Sequence, residues 1–452
     1  MTAPSRHSFS HSPLAARLAG RGIHYGWVVA AVTFLTMLVT AGAIGAPGVL
    51  IGPLKAEFGW DTADISAGFA VRLVLFGLMG PFAAAFMNRF GVRRVAAVAL
   101  TLIGAGILGS FVMTKLWHLL LLWGVVVGLG TGLTAMVLGA TVATRWFSKR
   151  RGLVLGLLTA STATGQLVFL PLLATLTEQF GWRYALSFVL AILLVAAAAV
   201  LTLMRDRPAD VGQSPYGATQ PTPATVQPAT FQAMMASPVL ALRDASGSAT
   251  FWVLFGTFFV CGASTNGLVQ THFIALCGDF GIVPVMAAGM LAMIGIFDFV
   301  GTVGSGWLSD RYDSRWLLFW YYSLRGLSLL YLPFSSFSFY ELSIFAVFYG
   351  LDWVATVPPT VKLVADRFGD RANLVFGWVF AGHQFGAASA AYGAGLTRTF
   401  YETYLPAFFV AGLLCVVAAL SIVLVREHRA PFPTTHERWL RLCHNMKERN
   451  SS

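Results

Sequence analysis

An all-α integral membrane fold is predicted, with twelve transmembrane helices set as two pseudo-symmetric six-helix bundles. Three observations predict it: too little charge for a soluble surface, twelve long apolar stretches, and an internal repeat at a nearly constant offset. Of the 452 residues, 57% are apolar or aromatic and only 11% are charged, with a mean hydropathy of +0.71. Soluble domains carry about 25% charged residues. A soluble globule and a disordered chain are both excluded, the latter because disorder needs low hydrophobicity. The four cysteines, Cys261, Cys277, Cys415 and Cys443, stand singly. Neither a disulfide framework nor a zinc site is expected.

A bilayer-crossing helix needs about 20 mostly apolar residues. Twelve segments qualify: 27–51, 62–87, 94–114, 117–143, 152–177, 184–204, 250–273, 283–308, 316–336, 341–364, 373–397 and 403–425. Residues 1–24 are polar and read as a cytoplasmic tail, followed by a retained first span rather than a cleaved signal. Residues 205–249 hold six prolines among Ser, Thr, Gln and Gly. They read as a cytoplasmic linker whose end, Phe231 to Leu242, is apolar enough for a short interfacial helix. The expected organisation is a tail (1–24), a bundle (25–204), the linker (205–249), a second bundle (250–425) and a second tail (426–452).

Lysine and arginine fix the orientation. Loops that share a side with the two tails hold 24 of them, and the other loops hold 4. The positive-inside rule then predicts that both termini are cytoplasmic. The same asymmetry accounts for the net charge of +11 without nucleic acid as a partner.

The two halves echo each other. Asn88-Arg89 in loop 2–3 falls on Asp310-Arg311 in loop 8–9, an offset of 222. Gly156 and Gly165 of span 5 fall on Gly377 and Gly386 of span 11, at 221, and Gly42 of span 1 falls on Gly262 of span 7, at 220. Each loop places a small residue before the pair, Ala84 or Gly306, and basic residues after it, Arg93 and Arg94 or Arg315.

In a six-plus-six protein these loops resemble those of the major facilitator superfamily. The resemblance implies that Asn88, Arg89, Arg93 and Arg94, and Gly306, Asp310, Arg311 and Arg315, form gating loops that latch helix ends. Asn88 stands where the family usually has an acid, so the first latch is expected to be weaker, because a neutral amide makes no charge-assisted bond. His24-Tyr25-Gly26-Trp27, Phe58-Gly59-Trp60 and Gly181-Trp182-Arg183 also resemble the bacterial branch related to monocarboxylate and oxalate–formate carriers. Asp298 matches a position where those carriers often place an acid; Thr302 stands where many have an arginine.

Four charges lie inside spans: Arg72, Asp298, Arg325 and Asp352. Each is costly in lipid and a functional candidate by default. At about 1.5 Å per helical residue, Asp298 lies roughly 18 Å, Arg325 roughly 15 Å and Asp352 roughly 21 Å from the cytoplasmic ends of their spans, with Arg72 farther out at roughly 25 Å. His383 joins the central layer. Polar stripes run Asp298, Thr302, Ser305, Ser309 on span 8, Tyr321, Arg325, Ser328 on span 9, and Tyr349, Asp352, Thr356 on span 10. A structural ion pair between Asp298 and Arg325 is expected. Asp352 is expected to face the cavity and carry a coupling proton, with Pro358-Pro359 loosening the helix beside it. Arg72 is either a carboxylate receptor or a gate residue, and His383 either a proton acceptor or a packing residue. Asn266, Gln270 and Gln166 are candidate linings.

The function expected is secondary transport of a small solute, an organic anion such as a monocarboxylate, across the inner membrane by alternating access with proton coupling. The partners are the small-molecule substrate, the lipid bilayer and H+, with the chain acting as a monomer. Efflux of a hydrophobic or aromatic compound is the alternative, although span 5 has Phe169-Leu170 where drug antiporters of the family carry Gly-Pro. A polytopic membrane enzyme would need a catalytic constellation or metal ligands, and no such cluster stands at usable spacing. No cofactor or metal is called for, and no Gly-Lys-Ser/Thr phosphate loop for ATP-driven pumping is present.

Overall fold

The fold was analysed in a computed structural model that describes residues 13–134, 136–218, 230–309 and 311–423. Twelve transmembrane helices follow in order: α1 (Gly26–Phe58, jointed at Ala46), α2 (Thr62–Phe90), α3 (Val92–Ser110), α4 (Leu116–Trp146), α5 (Arg151–Phe180), α6 (Trp182–Leu203), α7 (Ala249–Asp279), α8 (Pro284–Ser309), α9 (Ser314–Tyr331), α10 in two pieces (Phe339–Leu351 and Val357–Phe368), α11 (Ala372–Tyr401) and α12 (Leu405–Val423). Eight of them, α1 to α4 and α6 to α8 with α12, are individually long and apolar enough to cross a bilayer. No β-strand occurs among the described residues. A helical piece at Phe231–Ala245 precedes α7, as the apolar end of the linker predicts.

Two of the three repeat pairs, Gly42/Gly262 and Gly165/Gly386, mark one helix crossing made twice, whereas Gly156 faces open space and Gly377 lies against Pro81. In the first half Gly165 of α5 lies against Leu38 and Ala41 of α1, and Gly42 of α1 against Phe169 of α5. In the second half Gly386 of α11 lies against the Phe259 carbonyl of α7, and Gly262 of α7 against the His383 carbonyl of α11. A Cβ at Gly262 or Gly386 would collide with backbone, so these helices touch main chain to main chain. Small residues at such crossings replace the hydrophobic drive that lipid does not provide. Next to Gly262, α7 widens into a π-helical segment, Ala263–Val269.

The aromatic motif at the start of α1 has a packing role. Tyr25 donates its hydroxyl to the Leu203 carbonyl at 2.7 Å and its amide to Gln213 at 3.1 Å. His24 bonds the Ser214 carbonyl at 2.9 Å, and Trp27 meets Phe147 and Tyr216 edge-on. The segment after α6 is thereby fastened beneath α1 and α4.

The two ends of the molecule differ. At the end away from the basic loops, the second part of α1 packs on α7, with Gly48 against the Gln270 carbonyl. There the start of α2 meets the end of α11, where Thr399 accepts the Ala63 amide at 3.2 Å. At the basic end the last parts of α4 and α10 make no extended contact. Leu153 and Leu157 of α5 are exposed there. There α2 and α11 stay together, overlain by the Phe231–Ala245 helix through Trp378 Nε1 to the Pro238 carbonyl at 2.8 Å.

Candidate substrate and coupling site

Pro358 and Pro359 have no N–H, so the carbonyls one turn before them lose their helical partners. Span 10 duly breaks between Leu351 and Val357. In lipid, every freed backbone group must find a partner inside the protein. Most of the partners here are polar side chains that the sequence placed near mid-span. Val357 N–H returns to the Val354 carbonyl at 2.9 Å. Ser305 of α8 donates its hydroxyl to the Ala355 carbonyl at 2.5 Å. Asp298 of α8 accepts the Val354 N–H at 2.9 Å and the Thr302 hydroxyl at 2.8 Å.

Arg325 of α9, fully buried, spans the rest of the break. Its Nε donates to Asp352 Oδ2 at 2.8 Å, its Nη1 to Cys261 Sγ of α7 at 2.9 Å, and its Nη2 to the Asp352 and Trp353 carbonyls, the latter at 3.1 Å. The buried ion pair of Arg325 is therefore with Asp352, not with Asp298 as expected. The reason is local. Unwinding swings Asp352 and two carbonyls toward α9 together, so one planar guanidinium satisfies all three. Asp298, whose carboxylate engages neutral donors, has no ion-pair partner among the described residues. Asp352 Oδ1 is buried without a partner.

Asp298 lines a small enclosed cavity of about 10 Å³ together with Gln270, Leu170, Ile294 and Trp353. That is room for about one water molecule. Gln270 Nε2 has no partner there. Asn266, on the π-helical segment of α7, is half-buried. Gln166 belongs to α5, but its side chain lies outside the described residues. His383 is half-buried, 3.3 Å from the Gln384 amide nitrogen and stacked on Phe380.

Arg72 of α2 stands apart from the α8–α10 cluster. It is 4% exposed, it donates to the Ile44 carbonyl at 3.2 Å, and its Nε is unpartnered. No acid pairs with it among the described residues. Ile44 adjoins Gly45, which packs on Leu170, a wall of the Asp298 cavity. The joint of α1 thus lies between that cavity and the buried cation.

The loops are asymmetric. Asn88 accepts from Arg145 at 2.5 Å, a bond between the ends of α2 and α4 in which the amide carries no charge. In the second half Asp313 pairs with Arg315 at 2.5 Å, Arg311 lies 4.0 Å over the Trp307 ring, and Lys362 donates to the Ser309 carbonyl. The Arg315 guanidinium holds the Asp313 carboxyl below its usual range. Gly306 faces open space, and Asp310 lies outside the described residues.

Sequence reasoning missed Cys261, Trp353 and the fully buried His272, which bonds the Ala391 carbonyl of α11 at 2.8 Å. Cys261 carried one signal, its place beside repeat glycine Gly262. The other two carried none.

A family model described as Major Facilitator Superfamily matches residues 33–351 and 276–446. The chain belongs to the Major Facilitator Superfamily. It is similar to monocarboxylate transporter 13 of Rattus norvegicus, 28% identical over 413 residues that cover 89% of each chain. It is also similar to the uncharacterized MFS-type transporter YcxA of Bacillus subtilis, 25% identical over 390 residues, 82% of this chain and 87% of that one. The solved structure of the nucleoside transporter NupG superposes with a TM-score of 0.70 at 11% identity, over 89% of this chain and 99% of that chain; that likeness shows the fold. This superfamily member is a multi-pass membrane transporter for a small solute, not an enzyme.

Proposed function

We propose that this transporter is a secondary carrier for a small organic anion, a monocarboxylate being the favoured class, driven by protons and working by alternating access. The observation that carries the reading is Arg72. A cation buried at mid-protein without an acid is costly unless a ligand brings the countercharge. A carboxylate suits it, because a guanidinium offers two parallel donors to two oxygens. The relative named as a monocarboxylate transporter supports the same class.

Asp298 is the proposed proton carrier. A carboxylate locked to a guanidinium, as Asp352 is to Arg325, takes up a proton only by breaking that ion pair. One held by a hydroxyl and an amide beside a water-sized cavity exchanges its proton without breaking an ion pair. Asp352 then serves to hold the break of α10 in shape. Packing at one end and separation at the other is what one state of an alternating carrier requires. With 24 of the lysines and arginines on the side of the tails, the proposed placement is the inner membrane with both termini cytoplasmic, which makes this state inward-facing.

Proteoliposome uptake of a panel of radiolabelled monocarboxylates, with and without an imposed pH gradient, tests the reading. Accumulation is expected only with the acidic side outside, and Arg72→Gln should abolish binding. Asp298→Asn should lose gradient-driven accumulation while counterflow persists. Unchanged accumulation in Asp298→Asn, or uptake indifferent to Arg72→Gln, would refute it.

A further inference from the structure

At the basic end, outside the bundle core, a groove of about 720 Å³ opens between loop 2–3, the end of α4 and the segment after α6. Five arginines line it, Arg89, Arg93, Arg94, Arg145 and Arg207, against two acids, Asp206 and Asp210. None of the five makes an ion pair among the described residues. The two acids are committed to backbone: Asp206 accepts the Arg93 amide at 2.8 Å, and Asp210 the amides of Asp206 and Arg207 at 3.1 and 2.9 Å. Arg145 spends its bonds on the Asn88 amide and the Met87 carbonyl, both neutral. Arg89 lies 5.3 Å over the Phe231 ring, and Arg94 is exposed. The contrast with the other half is direct, since there Arg315 is neutralised by Asp313.

We infer that this groove binds the phosphate headgroup of an anionic lipid. The excess of three positive charges calls for a phosphate. The walls decide between a lipid and a soluble phosphate ester. Val98 of α3 and Leu201 of α6 line the same groove and are about half exposed, on the outer flanks of their helices. A ligand seated on the arginines lays its continuation along that apolar flank, which suits acyl chains and gives a soluble ester nothing. Asn88 is the enabling residue: an acid at that position would neutralise Arg145.

The test uses the full-length protein in neutral detergent. Its thermal midpoint is followed against dioctanoyl phosphatidylglycerol, dioctanoyl phosphatidylcholine and glycerol 3-phosphate, because a ligand that binds only the folded state raises the midpoint with concentration. Phosphatidylglycerol should stabilise, less so at high salt, and the other two probes should not. Arg94→Gln and Arg207→Gln should each weaken its apparent affinity about fivefold. Asn88→Asp, which adds a charge without removing a side chain, should weaken it similarly. Lys55→Gln, at the opposite end, should leave it unchanged. An equal response to phosphatidylcholine or to glycerol 3-phosphate would overturn the proposal, as would affinity unmoved in Arg94→Gln and Asn88→Asp.

Discussion

Replacing Arg325 by Met removes four donated hydrogen bonds at once: one to Asp352 Oδ2, one to Cys261 Sγ and two to the carbonyls of Asp352 and Trp353. What remains is a carboxylate that is 3% exposed with no cation, beside two orphaned carbonyls. Removing one partner of a buried pair costs about 3–5 kcal/mol. Asp352→Leu strands the guanidinium in the same way and should cost a similar amount. The double variant Arg325→Met/Asp352→Leu has no buried charge left. Its residual loss is the two unsatisfied carbonyls, about 1–3 kcal/mol each. The double variant should therefore lose clearly less than the two singles summed, with a coupling energy of about 3 kcal/mol or more. Equilibrium unfolding of purified protein in mixed micelles measures all four corners of the cycle. Additive losses, with coupling below about 0.5 kcal/mol, would show that the pair does not act as a unit and would refute this account of the α10 break.

Asp298→Asn keeps an oxygen acceptor for Thr302 and for the Val354 amide, so it should change stability by less than about 1 kcal/mol while abolishing proton-driven accumulation; a large loss of folded protein would instead make Asp298 structural. Ser305→Ala leaves the Ala355 carbonyl without its donor and should destabilise by about 1–3 kcal/mol in the same unfolding assay. Gly386→Val drives a side chain into the Phe259 carbonyl of α7, and a loss of about 3 kcal/mol or more is expected, read as folded yield by size exclusion. Glu57→Gln breaks the Arg183–Glu57 pair, 2.6 Å apart but well exposed on both sides, and should shift stability by less than about 1 kcal/mol.

Much of this protein is legible in one dimension because lipid imposes a coarse rule. Each crossing must be long, apolar and helical. Twelve crossings, and the repeat that relates Gly42 and Gly165 to Gly262 and Gly386, therefore show in the sequence, and these glycines prove to sit at matching helix crossings, α1 on α5 and α7 on α11. The four intramembrane charges also announce themselves, since hydrocarbon penalises each of them wherever it lies. Who pairs with whom does not. Asp298 and Asp352 are equally acidic, sit at similar depth and face polar stripes, and nothing in their spacing says which one meets Arg325. The choice fell to the tertiary structure. Two prolines unwound α10, the Asp352 carboxylate and the Asp352 and Trp353 carbonyls turned together toward α9, and a guanidinium with several donors in one plane took all three. Asp298 was left with neutral partners beside a water-sized cavity. The groove of unpaired arginines is likewise an effect of folding: loop 2–3, the end of α4 and the segment after α6 are far apart in the chain, and only their convergence brings five like charges around one space.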